Sequence, residues 1–177
     1  MRALAAMALG VVTTGPAWSQ DFMAVEIGRV GSADIADQSG PVFSPSNGNL
    51  VGSAQRRHAG FSHLGSDVDA KFCLSFGFEF RAPNLPGPAA MAVEMQLDHP
   101  PWTSPDGRSS VQEHFSDTLS SAWGYHGYAL EESWTMTPGV WQFTIKSGDT
   151  VLATQRFDLT VAPGQVFPGG GCAAPIS

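Results

Sequence analysis

The sequence has little basic charge and few charged residues of any kind. Its 177 residues include 9 Lys and Arg against 16 Asp and Glu, and charged residues make up only 14%. A nucleic-acid-binding protein normally carries a basic stripe that neutralises phosphates, so the net charge of −7 argues against that class. Beyond the N-terminus there is no apolar run of about 20 residues, which excludes an internal membrane span.

Catalytic motifs are also scarce. The sequence contains no glycine-rich phosphate loop and no dinucleotide-binding fingerprint. Ser62 has Leu64 where the nucleophile elbow of a serine hydrolase requires glycine. Glu131 and Glu132 are adjacent, whereas glycosidase carboxylates face each other across a cleft. We therefore predict that the protein is not an enzyme and needs no cofactor.

The N-terminus has the three-part plan of a secretory signal peptide. Arg2 precedes the apolar run of residues 3–12, Pro16 interrupts it, and small residues stand before a cleavage site at Ser19–Gln20. An apolar run this short cannot span a bilayer. We predict a signal peptide over residues 1–19 and a periplasmic or secreted mature protein; a buried N-terminal helix is the alternative.

The predicted compartment determines how the two cysteines are interpreted. Cys73 lies in an apolar strand-like run and Cys172 lies in a glycine-rich tail. In an exported protein, two cysteines most simply form a disulfide, which here would tether residues 163–177 to the domain. An intermolecular disulfide and two free thiols are the alternatives.

The rest of the chain is predicted to be all-β. Alternation is clearest in residues 71–80, where the phenylalanines share one face and Cys73 points to the other. Apolar residues that alternate in three later runs are also expected to face inward: Met91, Val93, Met95 and Leu97, then Trp141, Phe143 and Ile145, and last Val151, Ala153, Phe157, Leu159 and Val161. The predicted strands are Phe22–Val30, Val42–Phe43, Leu50–Ala54, Lys71–Phe80, Ala90–Asp98, Ser110–Asp117, Trp123–Leu130, Val140–Lys146 and Thr150–Val161. We expect Pro100 and Pro101 to end the fifth of these, because proline cannot donate to a sheet ladder.

Such strands, separated by turn residues, predict one antiparallel two-layer β-sandwich over residues 20–162. Gly and Pro, at 20 and 13 residues, supply turns such as Pro105-Asp106-Gly107 and Ser147-Gly148-Asp149. The hairpin of residues 139–161 resembles the last two strands of many immunoglobulin-like domains. The disulfide differs from the immunoglobulin one, because one partner lies in the tail.

A family resemblance rests on residues 76–161. His99-Pro100-Pro101, Pro105-Asp106-Gly107, the run from Pro138 to Ile145 and Gly148-Asp149 occur in an order similar to that in the DUF3859 family of bacterial exported proteins. The final strand, with Leu152 and Phe157, completes the pattern. The resemblance implies an exported β-domain and no particular activity.

Three histidines are candidate metal ligands. His114 and His126 fall on neighbouring predicted strands, and His99 follows Asp98. Imidazoles and carboxylates can bind zinc or another transition metal when they converge. The spacing here fixes no geometry, so surface or loop histidines are the simpler interpretation. A metal-binding or hydrolytic periplasmic protein is nevertheless the alternative function.

Aromatic residues in the central loops are the favoured candidates for binding. We predict an exported interaction module that binds an unknown protein or envelope component through the loops around residues 99–107 and 123–134, with Trp102 as the best exposed candidate. A structural envelope subunit that associates through an unpaired edge strand is a further alternative, and the oligomeric state stays open. The candidate binding residues are His99, Trp102, Asp106, Trp123, Tyr125, Tyr128 and Trp134.

Overall fold

The computed structural model describes residues 24–35, 42–43, 48–51, 53–54, 60–86, 88–165 and 172. The predicted signal peptide, its cleavage site at Ser19–Gln20 and the start of the first predicted strand lie outside these residues. Within them, no helix has the length and apolar character needed to cross a membrane.

The described residues form eleven strands and a single 3₁₀ turn, Ser133–Thr135. The strands are β1 (Glu26–Asp34), β2 (Val42–Phe43), β3 (Ser53–Ala54), β4 (His63–Leu64), β5 (Asp67–Ala70), β6 (Leu74–Arg81), β7 (Ala90–Thr103), β8 (Ser109–Ser120), β9 (Gly124–Ala129), β10 (Gly139–Ser147) and β11 (Thr150–Val161).

These strands form the predicted two-layer sandwich. One sheet has the order β4-β1-β6-β9, and the other has the order β5-β11-β10-β7-β8. Strands β2 and β3 form a separate two-stranded ribbon. Pairing in the large sheets is antiparallel except between β5 and β11, which run parallel.

The core lies where the alternation of the sequence placed it. Inward side chains of β6 face those of β10, with the Phe76 ring 5.3 Å from the Trp141 ring and 6.1 Å from the Phe143 ring. Because successive strand residues point to opposite faces, each run of alternate apolar residues supplies one wall of the core. These buried residues include Leu74, Phe76, Phe78, Phe80, Trp141, Phe143 and Ile145.

One segment joins the two sheets at their edges. Residues 63–64 pair with β1, and residues 67–70 pair with β11 in the other sheet. The change of sheet occurs at Gly65, whose φ of 122° favours glycine. At the opposite side of the sandwich, His126 of β9 bonds to Asp117 of β8 at 2.7 Å, which links the two sheets again.

The prediction that Pro100 and Pro101 end β7 is wrong. The strand continues to Thr103 through a bulge, in which the residues between Asp98 and Trp102 stand opposite Val111 alone. Pairing of β7 with β10 stops at Asp98, so neither proline has to donate to that neighbour. Prolines inside sheets are confined to such irregular positions.

A second bulge corrects the predicted facing of β11. Ile145 pairs with Ala153 whereas Lys146 pairs with Val151, so Leu152 is the additional residue. Val151, predicted to point inward, is 54% exposed, and Leu152 packs against the core instead. A shift of one residue exchanges the two faces of a strand.

The disulfide between Cys73 and Cys172 is confirmed, with a Cα–Cα distance of 5.3 Å. Cys73 does not lie in a strand as predicted, however. It occupies the turn before β6 with a φ of 65°, and its backbone bonds to Ile35 and Leu130. The disulfide therefore ties the chain beyond β11 to a turn that is already fixed between two other segments.

Candidate functional site

Trp102 is buried, which contradicts its prediction as an exposed binding residue. Its side chain has no accessible surface, because the bulge in β7 turns it inward. The indole stacks on His99 with ring centroids 3.4 Å apart, and its N–H donates to the Thr137 hydroxyl at 3.2 Å. Tyr128 and Trp134, also predicted to bind, lie 5.5 and 5.9 Å from the same ring. Three predicted binding residues thus form an internal aromatic cluster.

His99 is buried in the same cluster. Its Nδ1 lies 2.8 Å from the Pro100 carbonyl oxygen, and its Nε2 lies 3.9 Å from Oε1 of Glu113. Both side chains of this pair are fully buried. The sequence analysis did not pair Glu113 with His99, because this juxtaposition depends on the bulge at Pro100 and Pro101.

The three histidines do not converge. His114 contacts Glu94 at 2.9 Å on the sheet surface, and His126 contacts Asp117 between the sheets. Each of the three imidazoles therefore faces a different carboxylate. Across the described residues, no three His, Cys, Asp or Glu side chains are arranged to hold a metal ion.

Asp106 lies at the tip of the β7–β8 hairpin, away from the aromatic cluster. Hydrogen bonds from the Ser104 hydroxyl and the Arg108 guanidinium lower the pKa of Asp106 to about 2. Gly107 follows with a φ of 84°. These contacts account for Asp106 as a residue that fixes the turn.

Trp123 is exposed, as the binding prediction requires. It is 47% accessible and is the one strongly exposed aromatic ring among the described residues. The indole lies on the outer surface of the four-stranded sheet against Gly28, where an added Cβ would come within 2.6 Å of the ring. The Arg81 guanidinium carbon lies 4.3 Å from the ring centroid, a cation–π distance.

Tyr125 lies on the same outer surface, but its ring is largely covered. The phenol crosses Gly77 and Gly127, and a Cβ at Gly77 would come within 2.7 Å of the hydroxyl. Burial raises the pKa of Tyr125 to about 12, against a smaller lowering by its hydrogen bond with Ser75. The ring lies 5.8 Å from that of Phe61. The glycines thus provide the space in which large rings lie flat on the sheet.

Two arginines complete this surface, and each is held by a carboxylate. Arg29 donates to Glu79 through Nε at 2.9 Å and through Nη2 at 2.5 Å. Arg81 donates to Glu26 at 2.8 and 2.7 Å. We call the surface formed by Phe61, Trp123, Tyr125, Arg29 and Arg81 the aromatic face.

The sequence analysis predicted only part of the aromatic face. It selected Trp123 and Tyr125 but not Phe61, which precedes β4, or the arginines, which lie in β1 and β6. The available signal was glycine inside strands, because such positions often accommodate a close neighbour. The order β1-β6-β9 was needed to place these glycines together.

The outer surface of the five-stranded sheet is different in character. Polar side chains there bond to one another across three strands, from Lys146 through Gln96 and Asp98 to Gln112 and His114. Its exposed apolar side chains are separate valines, Val111, Val140 and Val151. The strongly exposed aromatic ring among the described residues, Trp123, thus lies on the four-stranded sheet.

Comparison with known proteins agrees with this architecture. The family model DUF3859, described as a domain of unknown function, matches residues 38–159. The chain belongs to the DUF3859 family. No curated protein matches the sequence significantly.

A solved structure supports the fold of this DUF3859 protein. This chain is similar in structure to an immunoglobulin-like protein from Pseudomonas aeruginosa, with a TM-score of 0.51 and 19% sequence identity. The similarity covers 79% of this chain and 99% of the other. The predicted immunoglobulin-like sandwich is therefore confirmed. At this identity the similarity concerns the fold alone.

Proposed function

We propose that this DUF3859 protein is an exported, non-catalytic module that binds a protein partner through its aromatic face. The observation that supports the proposal best is Trp123, a large ring held in place on the sheet surface and still 47% exposed. Tryptophan, tyrosine and arginine dominate the binding energy of protein–protein interfaces. All three residue types meet on this surface.

The side chains of the aromatic face are already ordered before a partner arrives. Trp123 is held between Gly28 and Arg81, and Arg29 is held by Glu79. Immobilising a flexible side chain at an interface costs about 0.5–1.5 kcal/mol, so side chains fixed in advance reduce the entropy lost on binding. The alternation of Arg and Glu also favours a partner that carries charges of both signs.

Export is supported by two independent features. Disulfides such as Cys73–Cys172 persist in oxidising compartments and are rare in the cytosol. The N-terminal sequence predicts a signal peptide over residues 1–19. We therefore place the module in the periplasm or outside the cell.

Site-specific photo-crosslinking in the native host tests the proposal. A photoreactive phenylalanine analogue replaces Trp123 in one variant and Val151 in the control variant, since both positions are exposed but lie on different sheets. We expect a discrete protein adduct from position 123 and none from position 151. The adduct should weaken when Arg81→Glu is added, because the ion pair with Glu26 becomes a repulsion.

Two outcomes contradict the proposal. Equal adducts from both positions indicate random collision, and absence of an adduct from position 123 indicates that no protein occupies this surface. Far-ultraviolet circular dichroism of each variant verifies that the sandwich has formed.

A further inference from the structure

The buried pair of His99 and Glu113 contains two polar atoms without a hydrogen-bond partner. Nε2 of His99 and Oε1 of Glu113 have no accessible surface and lie 3.9 Å apart, facing each other. An unpaired polar atom in a protein interior typically costs about 1–3 kcal/mol. Two such atoms in one place require an explanation beyond packing.

The other nitrogen of the imidazole determines where protons lie. Nδ1 is 2.8 Å from the Pro100 carbonyl oxygen, and a carbonyl can only accept, so Nδ1 carries a proton. In a neutral ring, Nε2 would then present its lone pair to the carboxylate of Glu113. Two acceptors facing each other in a low-dielectric interior repel, so the pair needs one more proton.

We infer that this proton resides on His99, so that His99 and Glu113 form a buried imidazolium–carboxylate pair. Nε2 then donates toward Oε1, and a small side-chain movement closes the 3.9 Å gap to a hydrogen bond. The pair carries no net charge, which is the condition for burying ionised groups.

Two indole rings lie against the His99 imidazole. The imidazole is stacked on Trp102 at 3.4 Å, with an angle of 16° between planes, and the Trp141 ring lies 5.6 Å away. Indole faces attract cations, most strongly when water is excluded.

The surroundings of Glu113 favour a negative carboxylate. Burial alone would raise the pKa of Glu113, but the His99 imidazole, Ser110 and the backbone amides of Leu50 and Val51 outweigh burial and lower it. Oε2 accepts directly from the Leu50 N–H at 2.7 Å. The proton is therefore retained by the ring rather than by the carboxyl group.

The phenol of Tyr128, whose ring lies 5.5 Å from that of Trp102, does not supply a competing proton acceptor. Burial raises the pKa of Tyr128 on β9 against a smaller lowering by its hydrogen bond with Thr135, so its phenol stays neutral.

The pair also fastens a segment over the edge of the five-stranded sheet. Strand β8 is the last strand of that sheet, and the Asn49 side-chain amide bonds to both backbone groups of His114, at 2.6 and 2.8 Å. Leu50, the next residue, donates to Glu113. Loss of the His99 proton would expose Glu113 to repulsion and weaken this covering, and exposed edge strands are prone to pair with other chains.

Nuclear magnetic resonance of the imidazole nitrogens tests the inference directly. At neutral pH we expect both ring nitrogens of His99 to show the shifts of protonated nitrogens. In Glu113→Gln, the amide of the new side chain donates to Nε2 and its oxygen accepts from Leu50, so His99 should become neutral. Glu94→Gln is the matched control, because it changes the exposed partner of His114 and leaves His99 charged.

A neutral His99 ring in the wild-type protein at neutral pH overturns the inference, and this result needs no variant. Hydrogen exchange tests the link to the edge strand. At alkaline pH, the amides of Leu50 and His114 should lose protection in the wild type and in Glu94→Gln but keep it in Glu113→Gln. Equal loss in all three proteins contradicts the proposed role of the pair.

Discussion

The disulfide offers a quantitative test of how the tail stabilises the sandwich. Cys73 and Cys172 are 99 positions apart. In the chain-entropy model, closing a loop of that length restricts the unfolded chain by about 4.7 kcal/mol at room temperature. Part of this gain is offset by holding the chain after Val161 in the native state, so we expect a net contribution of about 3–4 kcal/mol.

The perturbation has to separate this contribution from backbone strain. Cys73 has a φ of 65°, a conformation that costs an L-residue about 1–2 kcal/mol and glycine almost nothing. We therefore compare Cys73→Gly with Cys73→Ala, each combined with Cys172→Ser. Because glycine also loses more entropy on folding, its variant should be more stable than the alanine variant by about 0.5–1 kcal/mol.

Urea denaturation of the oxidised wild type and both double variants measures these differences. At about 2–4 °C for each kcal/mol, the alanine variant should also melt about 10 °C below the wild type. A destabilisation below about 1 kcal/mol in both variants would refute the loop-entropy reasoning. Equal stability of the two variants would refute the claim that the turn at Cys73 is strained.

Three further predictions concern single side chains. Ser104→Ala should raise the pKa of Asp106 from about 2, because it removes the hydrogen bond that lowers this pKa most; a titration of the carboxyl groups measures the change. Since the pKa of Asp106 is depressed in the folded protein, its contribution to stability is present at neutral pH and is lost as the pH falls toward 2. The only two tyrosines of the sequence, Tyr125 and Tyr128, both have raised pKa values. Absorbance titration of the native protein should therefore show no phenolate formation near the usual pKa of about 10. The stability of the fold should fall as the pH rises from about 10 toward 12, because the tyrosines ionise more readily in the unfolded chain. Phe76→Ala should destabilise the protein by about 3–5 kcal/mol in urea denaturation, because its fully buried ring contacts four other aromatic rings; a loss under about 1 kcal/mol would contradict its central place in the core.

Alternation in the sequence was sufficient to predict the sandwich and its inward residues on β6, β7 and β10. The disulfide was predicted separately, from two cysteines in a chain expected to be exported. Alternation was insufficient at bulges. A bulge adds residues to one strand only, and the side chains beyond it then point to the opposite face. Trp102 was expected in an exposed loop, because the strand was predicted to end at Pro100 and Pro101. Val151 was assigned to the wrong face, because the bulge at Leu152 was not predicted.

The candidate site depended on tertiary information that no local pattern contains. Gly28, Gly77 and Gly127 become a floor for aromatic rings only because β1, β6 and β9 are neighbours. Trp123 and Tyr125 could be selected by residue type, whereas Arg29 and Arg81 could not be distinguished from other exposed arginines. Residue chemistry thus identifies candidates, and strand order determines which of them share a surface.

The parallel pairing of β5 with β11 has a consequence for synthesis of the chain. Asp67 pairs with Asp158, 91 positions later, so among the described strands β5 has no sheet partner until β11 has been made. At about 5–20 residues per second, a ribosome needs several seconds to cover that interval. Until β11 follows, the edge of β5 is unpaired. Asp67 and Asp69 place negative charge on the unpaired edge of β5, where it opposes pairing with a strand of another chain.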